Sequence, residues 1–474
     1  MDITQVRTVY FIGIGGIAMS ATAGIAKARG FEVSGSDSLE VYEPSKTVLD
    51  TFGIPYYTGY KQSQAKDAAA DMYIVSAGET EKNPEVAYLI SAGIPYYSFS
   101  EFLFYLSENN IRIVVTGTHG KSTTSALLGF ALEQLDDSSF MIGAVLRNTE
   151  SNFHAGSGHY FVFEGDEYRA VFDDPTPKFH FYKPDILVLT NLEYDHPDVY
   201  ASVEEIQSEL GYLLENLPDD GIVIYNGDDA RLQQLLYQSN RRNFSFGKGT
   251  ENDFVIQKVA ITPTHTEFVI SNCLDKQSPK QELYYSHLPG GVFAYNAAAA
   301  ITALRVLGFN PETVSVVLAS FLGIKRRFEI LGVEKGITVI DDYAHHPTAV
   351  ASTLHAAREQ YPQAHIWAVF EPHTFSRTQA LINELSTAFR DADQVLLAPI
   401  YSAREHTGAA VVSDDQVLQA IRVHNKTTRL VTSKSQALKI IAGDAKPGDV
   451  VIVMAVGSFN RLGPELLAHL SKTL

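Results

Sequence analysis

The chain carries a single cysteine, Cys273, in 474 residues, so neither an intrachain disulfide nor a cysteine-based metal centre can form. No run of about 20 apolar residues occurs, which excludes a membrane-spanning helix. The start, Met1 to Arg7, lacks a basic segment followed by a long apolar stretch, the pattern of a secretory signal. A lone thiol and no leader fit a reducing compartment, and a cytoplasmic location is expected. Basic residues are also scarce. Lys and Arg number 37 against 55 Asp and Glu, a net charge of −18, the wrong sign for a nucleic-acid binder. Internal repeats and low-complexity tracts are absent. What remains is 45% hydrophobic and 19% charged, an ordinary globular composition in a chain too long for one core.

The most informative stretch runs from Val114 to Thr124. An apolar run from Ile111 to Val115 reads as a buried strand. Small residues turn the chain at Gly117-Thr118-His119-Gly120-Lys121-Ser122-Thr123, and an alternating apolar pattern follows as a helix. Strand, Gly-Lys-Ser loop and helix make a phosphate cradle. Backbone N–H groups at a helix N-terminus face an anion, Lys121 adds a point charge, and Ser122 can hold Mg²⁺. ATP binding is expected, although the general pattern places its first glycine where Val115 stands.

Three blocks emerge, at residues 1–110, 111–327 and 328–474. The first opens with a strand over Thr8–Ile12, a glycine loop Gly13-Ile14-Gly15-Gly16, a helix, and a second strand over Phe31–Ser34 leading to Asp37. This βαβ pattern predicts a parallel sheet, and the loop suits a diphosphate, from a dinucleotide or a UDP-sugar alike. In the second block, strands are expected at Tyr160–Phe163, Ile186–Thr190 and Gly221–Tyr225. A β-rich excursion from Phe244 to His287 and an Ala-rich helix over Asn296–Leu307 follow. The third block alternates strands at Thr338–Ile340, Ile366–Phe370, Gln394–Ala398 and Val450–Ala455 with helices, another doubly wound unit.

Carboxylates and histidines cluster where these strands end. Glu164-Gly165-Asp166-Glu167-Tyr168 follows one strand, and Asn191 to Asp198, with Asp195-His196, follows the next. Ligands of open α/β sheets bind at such ends. Hard oxygen donors such as Glu164 suit Mg²⁺, and His196 suits a second, substrate-side ion. In the last block Asp341-Asp342-Tyr343-Ala344-His345-His346-Pro347 and Glu371-Pro372-His373-Thr374-Phe375-Ser376-Arg377 again follow strands. No cysteine or spaced acid completes a zinc site at the histidine pair. Arg377 suits a carboxylate or phosphate. Arg326 and Arg327 stand near the second block boundary, within reach of nucleotide phosphates on domain closure.

Taken in order, Gly13-Ile-Gly15-Gly16-Ile-Ala-Met19, Gly117-Thr-His-Gly-Lys121-Ser-Thr, Glu164-Gly-Asp-Glu167, Asp195-His196, Lys325-Arg-Arg-Phe-Glu329 and Asp341-Asp-Tyr-Ala-His-His-Pro347 resemble the Mur ligases of peptidoglycan synthesis, in the branch that uses UDP-N-acetylmuramate. The resemblance spans the chain. It implies an α/β protein of three domains: an N-terminal Rossmann-like domain for the UDP-sugar, a central P-loop ATPase-type domain with a mostly parallel sheet, and a C-terminal Rossmann-like domain for the amine substrate. It also implies an activity, in which ATP phosphorylates a carboxylate and an amine displaces phosphate to leave an amide.

By resemblance, Lys121, Glu164, His196 and Arg377 are catalytic. Ser122, Glu164 and His196 hold metal, and Gly117 to Thr123, Asn296, Arg327 and Asp341 hold ATP. Gly13, Gly15, Gly16, Met19, Asp37 and Ser76 bind the UDP-sugar, and His346 and Arg377 position the amine. The expected cofactors are ATP and Mg²⁺, and the expected partners are small molecules, without nucleic acid or membrane, for a monomer or homodimer. The acceptor is L-alanine or a whole tripeptide, L-alanyl-γ-D-glutamyl-meso-diaminopimelate. Pro372 to Thr378 and Ile400 to Glu405 look like the alanine branch, and the amine meets this domain, so L-alanine is the first expectation. The Glu164–His196 spacing, the insert around Asp174 to Phe179 and Ala349 look more like the tripeptide branch.

One departure stands out: the family's Leu-Pro-Gly-x-His-Asn-x-x-Asn becomes Leu288-Pro-Gly-Gly-Val292-Phe293-Ala-Tyr-Asn296. The resemblance places adenine there, where Phe293 offers a ring for stacking. Two other readings follow: a catalytically weak sugar-nucleotide binder, from this departure, and an NAD-dependent oxidoreductase, from the first glycine loop alone.

Overall fold

The protein is described from a computed structural model over residues 3–197, 199–262, 265–288, 290–403, 405 and 412–472. Asp198, Pro289, Arg404 and the side chains of Pro175 and Val292 lie outside the described residues. Three large sheets follow one another along the described residues, and a two-stranded hairpin, Arg169–Val171 with Asp174–Pro177, is inserted within the second. The first has five strands, all parallel, in the order Tyr56–Thr58, Glu32–Asp37, Thr8–Ile12, Met72–Val75, Tyr96–Tyr97. Its second strand runs three residues beyond the expected Ser34, which places Asp37 at the strand's C-terminal end beside the glycine loop.

The central sheet has ten strands. Ile111–Thr116 lies inside it, flanked in parallel by Tyr160–Glu164 and Ile186–Leu189. Both flanking strands end where acidic clusters begin. Ile186–Leu189 is Ile-Leu-Val-Leu with every residue buried, the unbroken apolar run of a parallel strand covered on both faces. The β-rich excursion resolves into a parallel strand, Arg242–Gly247, and an antiparallel meander, Phe254–Ile261, Thr266–Asn272 and Lys280–Ser286.

The Ala-rich helix starts five residues before its expected first residue, spanning Gly291–Val306. Gly290, at φ +94°, turns the chain into it. Phe293 is thereby placed in the first turn and is 6% exposed, packed in the central core. The ring expected to stack on a nucleobase is a core residue.

The third sheet has six strands in the order Glu329–Glu334, Ile337–Asp342, Val450–Met454, Ile366–Phe370, Gln394–Leu397, Arg429–Leu430; only the first pair is antiparallel. The first and central sheets are joined by packing as well as by chain. Phe153 sits on Gly24 of helix Ile17–Ala28, where an added Cβ would lie 2.5 Å from its ring, and Phe52 packs on the same ring at 5.6 Å. Arg29 reaches from that helix to the Leu106 carbonyl and to Ser139 Oγ.

Candidate active site

The phosphate loop joins strand Ile111–Thr116 to helix Lys121–Asp136. It is held from below by the segment that follows strand Ile186–Leu189. The Thr118 N–H donates to the Asn191 carbonyl at 3.1 Å, and the His119 N–H to Asn191 Oδ1 at 2.8 Å. Thr190 Oγ1 and Asn191 Nδ2 donate to the His119 carbonyl at 2.7 and 2.9 Å. Two glycines make the loop possible. Gly117, at φ +128°, leaves room for Thr190 and Asn191. Gly120, at φ +83°, caps the helix, and an added Cβ would lie 2.2 Å from Asn296 Oδ1. Asn296 thus meets the phosphate loop directly, and Thr123 sits partly buried in the helix's first turn.

Lys121 folds back over this loop. Its Nζ donates to the Gly117 and Thr118 carbonyls at 2.6 and 3.2 Å and lies 2.9 Å from Glu167. Burial alone would lower the ammonium's pKa; the carboxylates of Glu167, Asp166 and Glu164 outweigh it and hold the group charged. At the next residue, Ser122 Oγ donates to Glu164 Oε1 at 2.6 Å, while Gly143 N–H donates to Oε2 at 2.7 Å. A hydroxyl and a carboxylate side by side at a phosphate loop are the hard oxygen donors Mg²⁺ takes.

His196 stands across from this pair, with backbone φ +57°, a conformation that costs a non-glycine residue about 1–3 kcal/mol and fixes where its ring points. The Tyr168 hydroxyl lies 2.8 Å from its Nδ1, and its Nε2 lies 3.5 Å from Glu167 and 3.6 Å from Asp195. The third sheet contributes Arg377, 4% exposed, on a short helix whose N-cap, Thr374, also has positive φ. Arg377 donates to Asp195 Oδ1 at 2.9 Å, to His196 Nδ1 at 3.0 Å and to His373 Nδ1 at 2.9 Å. Burial pushes the Asp195 carboxyl up; the facing His196 ring and the Arg377 guanidinium outweigh it and hold the carboxyl below the usual range.

A second contact closes the same two domains. Glu193 takes a 3.3 Å contact from His119 Nε2 and a 2.8 Å hydrogen bond from Thr348 Oγ1, and its carboxyl is held down to about 2, first by His119. His346 packs on His119 at 4.6 Å. Donor atoms of His119, Glu193 and His346 lie within 4.8 Å of one another, the one such trio among the described residues. His346 nevertheless has no lone pair to give. Its Nδ1 accepts from the Thr348 N–H at 3.2 Å as helix cap, so its proton is on Nε2, which faces the Tyr194 carbonyl at 3.3 Å. Burial, then His119, lowers its pKa to about 4. The trio is a hydrogen-bonded latch, and His346, expected at the amine, serves here as cap and latch.

Asp341 is 5% exposed, with Oδ1 buried and unpartnered in the protein and Oδ2 3.4 Å from Arg326 Nε. An orphaned buried acceptor beside a phosphate-loop domain fits a ligand hydroxyl. Arg326 and Arg327 lie over the Tyr343 ring at 5.0 and 5.2 Å.

At the first sheet, Gly13 has φ +83°, and an added Cβ would lie 2.7 Å from Ser76. Asp37, expected at a ribose, accepts the Gly15 N–H at 2.8 Å, bracing the loop from the neighbouring strand. Gly16 is the N-cap of the following helix. Met19, expected to touch the sugar nucleotide, is 2% exposed and packs in the core, because its place on that helix faces the sheet.

Three domain families match in order: the Mur ligase family catalytic domain over residues 8–110, the Mur ligase middle domain over 115–304, and the Mur ligase glutamate ligase domain over 326–457. The chain belongs to the Mur ligase family. Among this Mur ligase's relatives, a UDP-N-acetylmuramate–L-alanine ligase of Streptomyces avermitilis is 34% identical over 474 residues, covering 99% of this chain and 98% of that protein. Another of that name, from Acetivibrio thermocellus, is 34% identical over 98% of this chain and 97% of its own length. Among solved structures, a murein peptide ligase of Psychrobacter arcticus aligns with TM-score 0.71 and 27% identity over 99% of both chains. The UDP-N-acetylmuramate–alanine ligase of Thermotoga maritima has the same fold, with TM-score 0.78 at 22% identity, over 98% of this chain and 99% of its own. The three-domain α/β architecture is that of the family.

Residues that sequence reasoning left out of the site are Thr190, Asn191, Glu193, Asp195, Glu167 and Tyr168. All but Thr190, the last residue of the expected strand before the second cluster, lie in the two acidic clusters. Only their placement at adjacent strand ends signalled them, and which side chain turns inward depends on loop geometry that no periodicity encodes.

Proposed function

We propose that this Mur ligase joins the carboxylate of UDP-N-acetylmuramate to the amino group of L-alanine at the expense of ATP, through an acyl phosphate. The observation that carries this reading is the convergence of Lys121, the Ser122–Glu164 pair and Asn296 at one phosphate loop with His196 and Arg377, brought from separate domains. The full-length relatives named for that reaction support it. Division of labour follows the sheets: residues 1–110 for the UDP-sugar, 111–327 for ATP, 328–474 for the amine.

A carboxylate is a poor electrophile, and phosphoryl transfer to it brings two anions together. Lys121 lies where its charge meets the transferred phosphate once it leaves Glu167. Ser122 and Glu164 would hold Mg²⁺, which when bound neutralises charge on the phosphates. Backbone N–H groups of residues 120–122, at the start of the helix, orient the phosphates, and Asp341 Oδ1 takes a ribose hydroxyl. At the other end, the Gly13–Gly16 loop and the helix behind it receive the diphosphate of the sugar nucleotide. No described helix is long and apolar enough to cross a membrane. The net charge of −18 argues against nucleic acid.

A second acceptor, the tripeptide, is favoured by one feature. The hairpin Arg169–Val171 with Asp174–Pro177 reaches the first domain, where Phe172 stacks on Tyr96 at 6.4 Å and Asp173 accepts from Tyr96 at 2.6 Å. This is the segment that looks like the tripeptide branch. Phosphate release from ATP is expected only with UDP-N-acetylmuramate and an acceptor together, with L-alanine supporting turnover. Turnover with the tripeptide alone would assign the chain to the second acceptor; release without either substrate would overturn the reading.

A further inference from the structure

The reading above places one divalent cation at Ser122 and Glu164, and the resemblance places another at His196. The residues fit the first and not the second. Among the described residues, four buried or half-buried carboxylates face this region, and three already have a basic partner: Asp166 with Lys178 at 2.7 Å, Glu167 with Lys121, and Asp195 with Arg377. Glu164 alone is bonded to neutral donors, Ser122 Oγ and the Gly143 N–H. One carboxylate is therefore left for a cation to neutralise.

The nitrogen atoms of His196 give the same answer. A cation needs an imidazole nitrogen without a proton. Arginine nitrogens only donate, so the Arg377 Nη2 contact at 3.0 Å makes Nδ1 an acceptor and leaves the proton on Nε2. That Nε2 points toward Glu167 and Asp195, as a donor should. The lone pair on Nδ1 is taken, and Nε2 has none to give. Tyr168, whose hydroxyl lies 2.8 Å from Nδ1, can either donate or accept there. It is compatible with both forms of the ring, whereas Arg377 permits one.

We propose that the Arg377 guanidinium is itself the cation of the second position while the C-terminal domain is docked, so that arginine docking and divalent-cation binding at His196 exclude each other. This rests on the ligase reading for its meaning but not for its test. Loading a second ion then requires Arg377 to leave Asp195 and His196, which couples that ion to opening of the C-terminal domain. Arg377 acts here as a positioning residue, setting the protonated nitrogen of His196.

The test uses the full nucleotide-free chain and Mn²⁺ as probe, with free Mn²⁺ read by electron paramagnetic resonance. Wild type is expected to bind one ion, lost in Glu164→Gln. Arg377→Gln is expected to bind a second at least about tenfold more tightly than wild type does, because a buried cation no longer competes, and Arg377→Lys to fall between. Equal second-site affinity in wild type and Arg377→Gln would overturn the proposal. An independent readout needs no variant at Arg377. In protein with ¹⁵N-labelled histidine, the His196 signals, identified by their loss in His196→Gln, are expected to show the proton on Nε2, unchanged by Mg²⁺. A proton on Nδ1 in wild type would also overturn it. Failure of either measurement leaves the turnover test of the ligase reading standing.

Discussion

Replacing Gly120 by alanine strikes the contact on which the phosphate loop is built. The residue has φ +83°, and the new Cβ would sit 2.2 Å from Asn296 Oδ1 and 3.2 Å from its Cγ. The left-handed backbone costs an L-residue roughly 1–2 kcal/mol. Moving the Asn296 amide aside forces it off its rotamer, about 0.5–1.5 kcal/mol more. If the loop keeps its shape, the sum of roughly 1.5–3.5 kcal/mol is lost from stability. If the loop relaxes in the free protein, the same amount is lost from nucleotide binding, about 10- to 400-fold in affinity. The two losses should therefore add to roughly 1.5–3.5 kcal/mol however they divide. Urea unfolding gives the first, and calorimetry with a non-hydrolysable ATP analogue gives the second. Adding Asn296→Ala to Gly120→Ala should recover the collision, about 0.5–1.5 kcal/mol, and leave the backbone cost. A Gly120→Ala protein with wild-type stability and nucleotide affinity, or no coupling between the two positions, would refute the argument.

Lys121→Ala is expected to abolish phosphate release while leaving UDP-N-acetylmuramate binding intact by calorimetry; loss of sugar-nucleotide affinity would put the two nucleotides in the wrong domains. Asp341 is pushed up to about 6, by burial against the opposing Arg326 charge and with help from Asp342 and Glu329. A raised carboxyl stabilises the fold most below its unfolded pKa near 4, and that contribution is lost as pH rises through 6. The loss is on the order of 3 kcal/mol. Asp341→Asn should therefore gain stability over wild type between pH 4 and 7 in paired denaturation curves; an equal difference at all pH would contradict the burial argument. Asp229 caps helix Ala230–Tyr237 and also accepts the Leu192 N–H at 2.7 Å, so Asp229→Ala should cost about 1–2 kcal/mol and raise hydrogen exchange at residues 191–196. Exchange unchanged there would mean the cap does not brace the site.

The sequence by itself determined the elements and the ends at which chemistry gathers. Short apolar runs such as Ile186–Leu189, bounded by polar residues, read as strands buried on both faces, and Gly117 and Gly120 stand where the chain needs conformations that other residues rarely adopt. Those are local properties, readable from a few neighbours. Tertiary structure decided what those local signals leave open. It placed Asn296 under Gly120, turned Met19 and Phe293 into cores, and set His346 on His119 across a domain boundary. It also brought Arg377 to Asp195, 182 residues away in the chain. A buried arginine persists only with partners whose geometry matches its fork, and no spacing in sequence encodes which carboxylate and which imidazole nitrogen will meet it.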